Sequence, residues 1–336
     1  MKIIKKNIKL LIGIIIGILT SGSVVIAETI IEANHIKYSN SKTEKTNVQD
    51  AIDELYELSE NLRHNNFASL ILKNNKVINK KPTLTTSSNN TSDESGLYSS
   101  TDTNTGDATY YFRGNVENNY VSFAGQTWRI VRVNEDGTIR IVMQDGINNN
   151  TTYQFNSNYN NYTYMYYTNN SNAKTQLESW YQTNIGSKTN LASKVASGNY
   201  YCEQAKAKFS DSATSGNATM TTYNKYTPNF KCSSDGNNKG VVNASVGLLS
   251  YDEVVYAGGY YGKSNNDYYL HNNTYFWTMS PTGFASGSSY VWYVSTSGDI
   301  YYSYVSDISR LRAVLNLTAN TLATGSGTSS DPFVIS

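Results

Sequence analysis

Two short apolar runs, residues 276–279 (FWTM) and 311–317 (LRAVLNL), enclose a stretch, residues 282–309, that reads TGFASGSSYVWYVSTSGDIYYSYVSDIS and holds no Lys, Glu or Gln. Apolar runs of that length, bounded by Gly, Ser and Pro, predict buried strands. Residues 290–295 and 300–305 predict two further strands between them. The rest of the stretch is mainly Tyr, Ser, Gly, Ala, Asp and Thr. Tyr supplies large, rigid contact area at low entropic cost, and Ser and Gly supply adaptability, which is the palette of binding loops. A surface that sheds charge while gaining tyrosines is suited to binding rather than to reaction.

The 336 residues suffice for one large or two ordinary domains with a real core. A net charge of +1 leaves no electrostatic footprint for nucleic acid, and none is expected as a partner. Tyr outnumbers Phe and Trp, 29 against 9 and 4, which suits half-wet strands and exposed platforms. Asn and Ser are abundant and Pro is scarce. An AT-rich gene would by itself raise Asn, Tyr, Ile and Lys, so part of this bias is attributable to codon drift.

Lys2, Lys5, Lys6 and Lys9 precede an apolar run, residues 10–27, that ends in Val25-Ile26-Ala27. A basic head, an apolar middle and a small-residue end predict a secretory signal peptide over 1–27, cut after Ala27. An uncleaved anchor is the alternative, since about 20 apolar residues span a bilayer, although Gly13, Gly17, Ser21, Gly22 and Ser23 weaken it. Either way the remainder is expected outside the cytoplasm, extracellular or at the cell surface. In an oxidising compartment Cys202 and Cys232, the two cysteines of the chain, are expected to pair. The polar loop they close has little core of its own, and cross-linking it should stabilise the fold by about 3–4 kcal/mol. Neither cysteine has a CxxC spacing or a neighbouring His, so neither metal binding nor thiol catalysis is signalled.

The clearest helix is predicted over 46–62, where Val48, Ala51, Leu55, Leu58 and Leu62 follow alternating three- and four-residue steps. So short an amphipathic helix is marginal alone, and self-association into a dimer or trimer is the expected answer. Residues 28–79 are read as a stalk, and 80–95 (KKPTLTTSSNNTSDES) as a polar linker. Residues 96–336 then form the globular part, with strands expected at 110–113, 120–133, 138–144, 246–249 and 333–335 besides those above. Asn134-Glu135-Asp136-Gly137 signals a hairpin. Helices are expected over 173–183 and from a capping box at Ser250-Tyr251-Asp252-Glu253 to a stop at Gly258-Gly259. The fold class expected is α+β, a mostly antiparallel head with two or so helices behind a short coiled coil.

Chemistry is sparse. His35 and His64 fall in the stalk, which leaves His271 as the one histidine of the globular part. No HExxH, GxSxG, P-loop or dinucleotide fingerprint occurs. Asp252 and Glu253 are explained by a helix N-terminus, and Asp136 and Asp145 by the turns they share with Gly. No catalytic residue, cofactor or metal is expected.

Trp277-Thr278-Met279-Ser280-Pro281, then Val294, Gly298 and Arg312 within RLRAVLNL, resemble a family of exported bacterial proteins with a C-type-lectin-like domain, distantly related to the formylglycine-generating enzyme fold. The likeness extends through GLYSSTDTNTGDATYYFRG, the 118–146 segment, both cysteine segments and VGLLSYDEVVYAGG, and so spans 96–336. TNVQDAIDELY resembles the oligomeric stalk modules of tail-fibre and surface proteins. Some members of the fold class are variable proteins of diversity-generating retroelements, whose ligand-facing surface is rewritten at adenines of Asn codons. In that light Tyr301-Tyr302-Ser303-Tyr304 sits where the family shows an Asn run, and every residue of 282–309 except Trp292 has a codon ending in a pyrimidine. Leu311 and Ala313 stand where the family has Val and Pro, and the Glu-Pro-Asn and Trp-Asn-Asp calcium triplets are absent.

The resemblance and the composition together imply a non-enzymatic binding protein, an adhesin or receptor, that presents several heads to a protein or glycan ligand. Its contact residues are expected to be Tyr290, Trp292, Tyr293, Asp299, Tyr301, Tyr302, Tyr304 and Asp307, with Trp292 equally placed to be core. The alternatives are an enzyme or modifier on a formylglycine-type scaffold, built around His271, Asp267 and Arg312, and a structural component of a surface appendage or phage-like fibre.

Overall fold

A computed structural model describes residues 48–84, 93–202, 217–218, 228–232 and 241–335. The expected signal segment 1–27 and half of the linker, residues 85–92, lie outside the described residues. The chain divides into two compact units, 1–63 and 64–336. Helix α1 (Val48–Asn65), which begins in the first, coincides with the helix expected over 46–62, carries Asp50 in its first turn, and leaves Leu55 57% exposed. Among the described residues no helix is long and apolar enough to cross a membrane.

The second unit starts earlier than the sequence division at 95/96. Asn66 caps α2 (Phe67–Asn74) by accepting from the Ser69 amide at 2.7 Å. Phe67 donates its amide to Thr321 O at 2.8 Å, and its ring meets Phe333 edge-on at 5.2 Å. Phe67 and Ile71 are fully buried, worth about 1.5–3 kcal/mol each. Residues 66–78, read from sequence as stalk, therefore belong to the head. The linker's end is tied in as well: Asp93 pairs with buried Arg113 at 2.9 Å.

Strands then follow as β1 (Val77–Ile78), β2 (Gly96–Ser100), β3 (Thr109–Arg113), β4 (Tyr120–Phe123), β5 (Gln126–Val133) and β6 (Ile139–Met143). After them come β7 (Thr152–Gln154), helix α3 (Asn172–Tyr181), β8 (Gly198–Cys202), β9 (Asn217–Ala218), β10 (Val241–Ala244) and helix α4 (Tyr251–Ala257). The chain ends through β11 (Phe276–Ala285), β12 (Ser288–Val294), β13 (Ile300–Tyr304), β14 (Ile308–Arg310), β15 (Val314–Leu317), β16 (Ala323–Thr324) and β17 (Phe333–Ile335). One sheet runs β1-β2-β3-β5-β4-β17-β16, with β6 between β5 and β15; the second runs β13-β12-β11-β14-β7, with β9 on β11. Only β1–β2, β4–β17 and β11–β14 pair in parallel among these, so the fold is α+β with mostly antiparallel strands. The two sheets share one apolar cluster, from Phe67 and Trp128 to Trp277, Val291 and Leu315.

Local chemistry explains most boundaries. At 134–137 the Asn134 amide donates to Thr138 O at 2.8 Å, and Gly137 takes φ 81°. Ser250 and Glu253 form the expected reciprocal cap, and α4 ends at Gly258 with φ 123°. Residues 120–133, expected as one strand, fold as β4 and β5, because Ala124 (φ 53°) and Gly125 (φ 73°) make a tight left-handed turn. Residues 246–249 are buried but form no strand; Gly247 alone bridges to Val314. The head also gains α2 and a helical turn at 189–192 beyond the two helices expected.

Cys202, at the end of β8, is bonded to Cys232 across a 30-residue separation, with their Cα atoms 5.5 Å apart. The Cys232 amide donates to Asn104 Oδ1 at 2.9 Å. From inside this loop β9 pairs with β11 at Phe284 and Ala285.

Candidate ligand-binding face

The region 282–309 is a meander rather than a set of loops. β11 continues through Pro281 as far as Ala285, with register shifts on both sides of the Pro281–Val291 pair, as a residue without an amide requires. Thr282, Gly283 and Phe284 are therefore buried, and the part of the stretch open to solvent begins at Ala285. Ser286 (φ 51°) and Gly287 (φ 73°) turn β11 into β12. Gly298 (φ 75°) turns β12 into β13, where a Cβ would stand 1.9 Å from Asn265 O.

β12 and β13 pair without a bulge: Tyr290 opposes Tyr304, Trp292 opposes Tyr302 and Tyr293 opposes Tyr301. Strand alternation puts Tyr290, Trp292, Val294, Ile300, Tyr302 and Tyr304 on one face. There Trp292 is only 6% exposed. It is roofed by Tyr251 at 4.7 Å, Tyr261 at 5.5 Å and Tyr302 at 6.0 Å. Thr278 Oγ1 also donates to its carbonyl at 2.8 Å. Trp292 thus acts as the floor of the face.

Above it the rings run together. Tyr301 opposes Tyr293 and by alternation belongs to the other side of the sheet, yet its ring lies against this face, stacked nearly parallel on Tyr261 at 5.7 Å and on Tyr302 at 4.8 Å. Tyr302 meets Tyr290 edge-on at 5.8 Å, and Tyr290 lies 4.7 Å from Tyr304. Tyr301 and Tyr304 remain 40% and 46% exposed. Burial, then the hydrogen bond with Tyr304 and the neighbouring phenols, pushes the Tyr290 hydroxyl up to about 12. Burial also raises Tyr302 and Tyr261, so all three are neutral well above physiological pH. The face offers flat apolar area edged by neutral hydroxyls.

The other expected contact residues lie apart from it. Tyr293 is on the opposite side of the sheet, against Tyr275 at 5.8 Å and Trp277 at 6.0 Å. Asp299 belongs to the β12–β13 turn, where it accepts from Ser297 Oγ at 2.7 Å and from Ser295 Oγ. Asp307 is exposed past the end of β13 and accepts from Ser303 Oγ. Tyr251 and Tyr261 were missed by sequence reasoning. The only signal for Tyr261 is its Tyr neighbour just past Gly258-Gly259, and nothing local ties it to Trp292.

The residues of the enzymatic alternative do not assemble. Arg312 is 1% exposed; it donates to Met143 O at 2.8 Å and Leu270 O at 2.6 Å and lies over the Phe276 ring at 4.7 Å. Burial pulls its guanidinium down to about 10, still cationic at neutral pH, but it has no surface to offer a substrate. His271 Nε2 is engaged with Thr296 O at 2.9 Å, and Asp267 is exposed. Among the described residues no cluster of His, Cys, Asp or Glu could hold a metal ion. No protein-family model, curated protein or solved structure matches the chain, so the role of this face has to be argued from its own chemistry.

Proposed function

We propose that this is an exported or surface-displayed, non-enzymatic ligand-binding protein whose C-type-lectin-like head captures its ligand on the Tyr290–Tyr301–Tyr302–Tyr304 face. The observation that carries the reading is the continuous run of neutral, half-exposed rings held by two paired strands over a buried tryptophan. Such rings bring large contact area with few rotamers to freeze, which is what favours Tyr at binding surfaces. The disulfide suits an oxidising compartment. The exposed Leu55 on α1 suits a helix that packs against copies of itself. Two or three heads on such a stalk would multiply a modest affinity by avidity. Variation within 282–309 would then retune the ligand without touching the buried positions between the tyrosines.

The test is a binding panel of immobilised glycans and displayed peptides, probed with the full chain. The reading requires a hit that is lost when Tyr301, Tyr302 and Tyr304 are changed together to Ser. Silence across the panel, or a hit indifferent to the triple change, would overturn it.

A further inference from the structure

The outer edge of β13 is half used. In the β12–β13 ladder Ser295 N donates to Asp299 O at 2.9 Å and Val305 N to Ser289 O at 3.1 Å. The odd-numbered residues of β13 therefore bond to β12, and the even-numbered ones direct their amides and carbonyls away from it. At Ile300 those outward groups are already taken. Its amide donates to Tyr260 O at 2.7 Å and its carbonyl accepts from Gly262 N at 3.0 Å, so Tyr261 lies alongside as a one-residue parallel strand. Gly262 (φ 62°) then turns that segment away. Farther along, Tyr304 O accepts from Asp307 N at 2.9 Å. What remains is the Tyr302 amide, the Tyr302 carbonyl and the Tyr304 amide, which have no partner among the described residues.

Open edges are normally protected by Lys, Pro, a bulge or a covering element. IYYSY has no Lys or Pro, and its register with β12 is unbroken. The edge is instead flanked by the two most exposed rings of the face, Tyr301 and Tyr304. We infer that this edge takes an extended polypeptide segment of a partner protein by strand addition, carrying on where residues 260–262 leave off. The inference rests on the ligand-binding reading above and names the ligand class. Backbone groups at strand spacing match a peptide's own amide period, and exposed rings beside them supply the side-chain contacts such docking needs. A sugar offers no matching row.

A second copy of β13 does not fit the edge. Antiparallel pairing with Tyr302 opposite Tyr302 of the other copy puts Tyr304 opposite Ile300, whose outward groups are occupied, and pairing with Tyr302 opposite Tyr304 puts Ser306 there. The same register sets Asp299 against Asp307, a like-charge pair that destabilises a ladder.

The experiment pans the full chain, disulfide intact, against a display library of short random peptides, with a glycan panel in parallel. An enriched peptide is then remade with one N-methylated amide at each successive position. Strand addition predicts affinity falling about tenfold at the one position whose amide meets the Tyr302 carbonyl, and holding at its two neighbours, whose amides point away from the edge. On the protein side, Tyr304→Pro removes an outward amide where an edge strand tolerates proline. It should bind about tenfold more weakly than Tyr304→Ala, with the two thermal midpoints alike. Failure to enrich any peptide, equal losses on N-methylation of adjacent positions, or equal binding by the Pro and Ala variants overturns the inference. Glycan binding without peptide binding does so while leaving the receptor reading intact; silence on both panels removes both.

Discussion

Gly298 holds the Tyr-bearing hairpin closed. Its φ of 75° and the 1.9 Å approach of Asn265 O to any added Cβ leave room for no side chain. Gly298→Ala should cost about 2–4 kcal/mol in denaturant unfolding, the sum of left-handed strain and a backbone clash. A loss under about 0.5 kcal/mol, within the range of an ordinary surface change, would mean that the turn is not as described. Asn residues do related work elsewhere. Asn148, Asn149 and Asn150 have φ of 50°, 56° and 66°, a run that few other residues tolerate, so codon drift is not the whole reason for the Asn content. That was invisible in the sequence, because an Asn run reads equally as loop or as drift. Tyr290 gives a prediction in pH. Its folded value of about 12 lies above the ordinary 10.0, so the unfolded chain loses this proton first as pH rises. The stability it contributes is whole below pH 10 and is lost as pH climbs through 12. Buried Tyr111, Tyr201, Tyr251, Tyr256, Tyr268 and Tyr269 are raised by burial and act in the same sense. Thermal midpoints should therefore fall above pH 10, and Tyr290→Phe should make the fall shallower; an unchanged slope would contradict the Tyr290–Tyr304 arrangement.

At the scale of elements, β6 and α4 are tied by charge. Arg140, 1% exposed, reaches Glu253 Oε1 at 2.5 Å and Oε2 at 3.1 Å. Glu253 is also half of the capping box of α4 and receives Arg132 at 3.6 Å. Arg140→Ala would leave the buried carboxylate with the longer Arg132 contact as its one cationic partner and should cost about 3–5 kcal/mol. The double change Arg140→Met/Glu253→Gln should recover at least part of that in the same unfolding assay; if it is no better than Arg140→Ala alone, the pair is not the origin of the loss. The capping box, the 134–137 hairpin and the Tyr strands were legible in advance because each is encoded within a few residues. Three features were not, for one physical reason. Phe67 docks on Phe333, Trp292 is roofed by Tyr251 and Tyr261, and Gly247 pairs with Val314. Each depends on a partner tens to hundreds of residues away, which local periodicity does not report. That is why 66–78 was assigned to the stalk and Trp292 could not be placed as floor or contact.

For the whole molecule, the head combines two sheets on one core with a disulfide-closed loop that returns a strand to β11. Rigidity of this kind is what lets a surface keep its shape while its exposed residues change. The central claim is that the exposed rings are there for contact and not for packing. Thermal unfolding of the Tyr301→Ser/Tyr304→Ser chain, measured beside its binding to a panel hit, tests it most directly. The account predicts a midpoint within about 2–4 °C of the parent, as for surface changes in a large domain, with binding weaker by at least about tenfold, as for loss of central aromatic anchors. A midpoint lowered by more than about 8 °C with binding retained would place those rings in the core and contradict it.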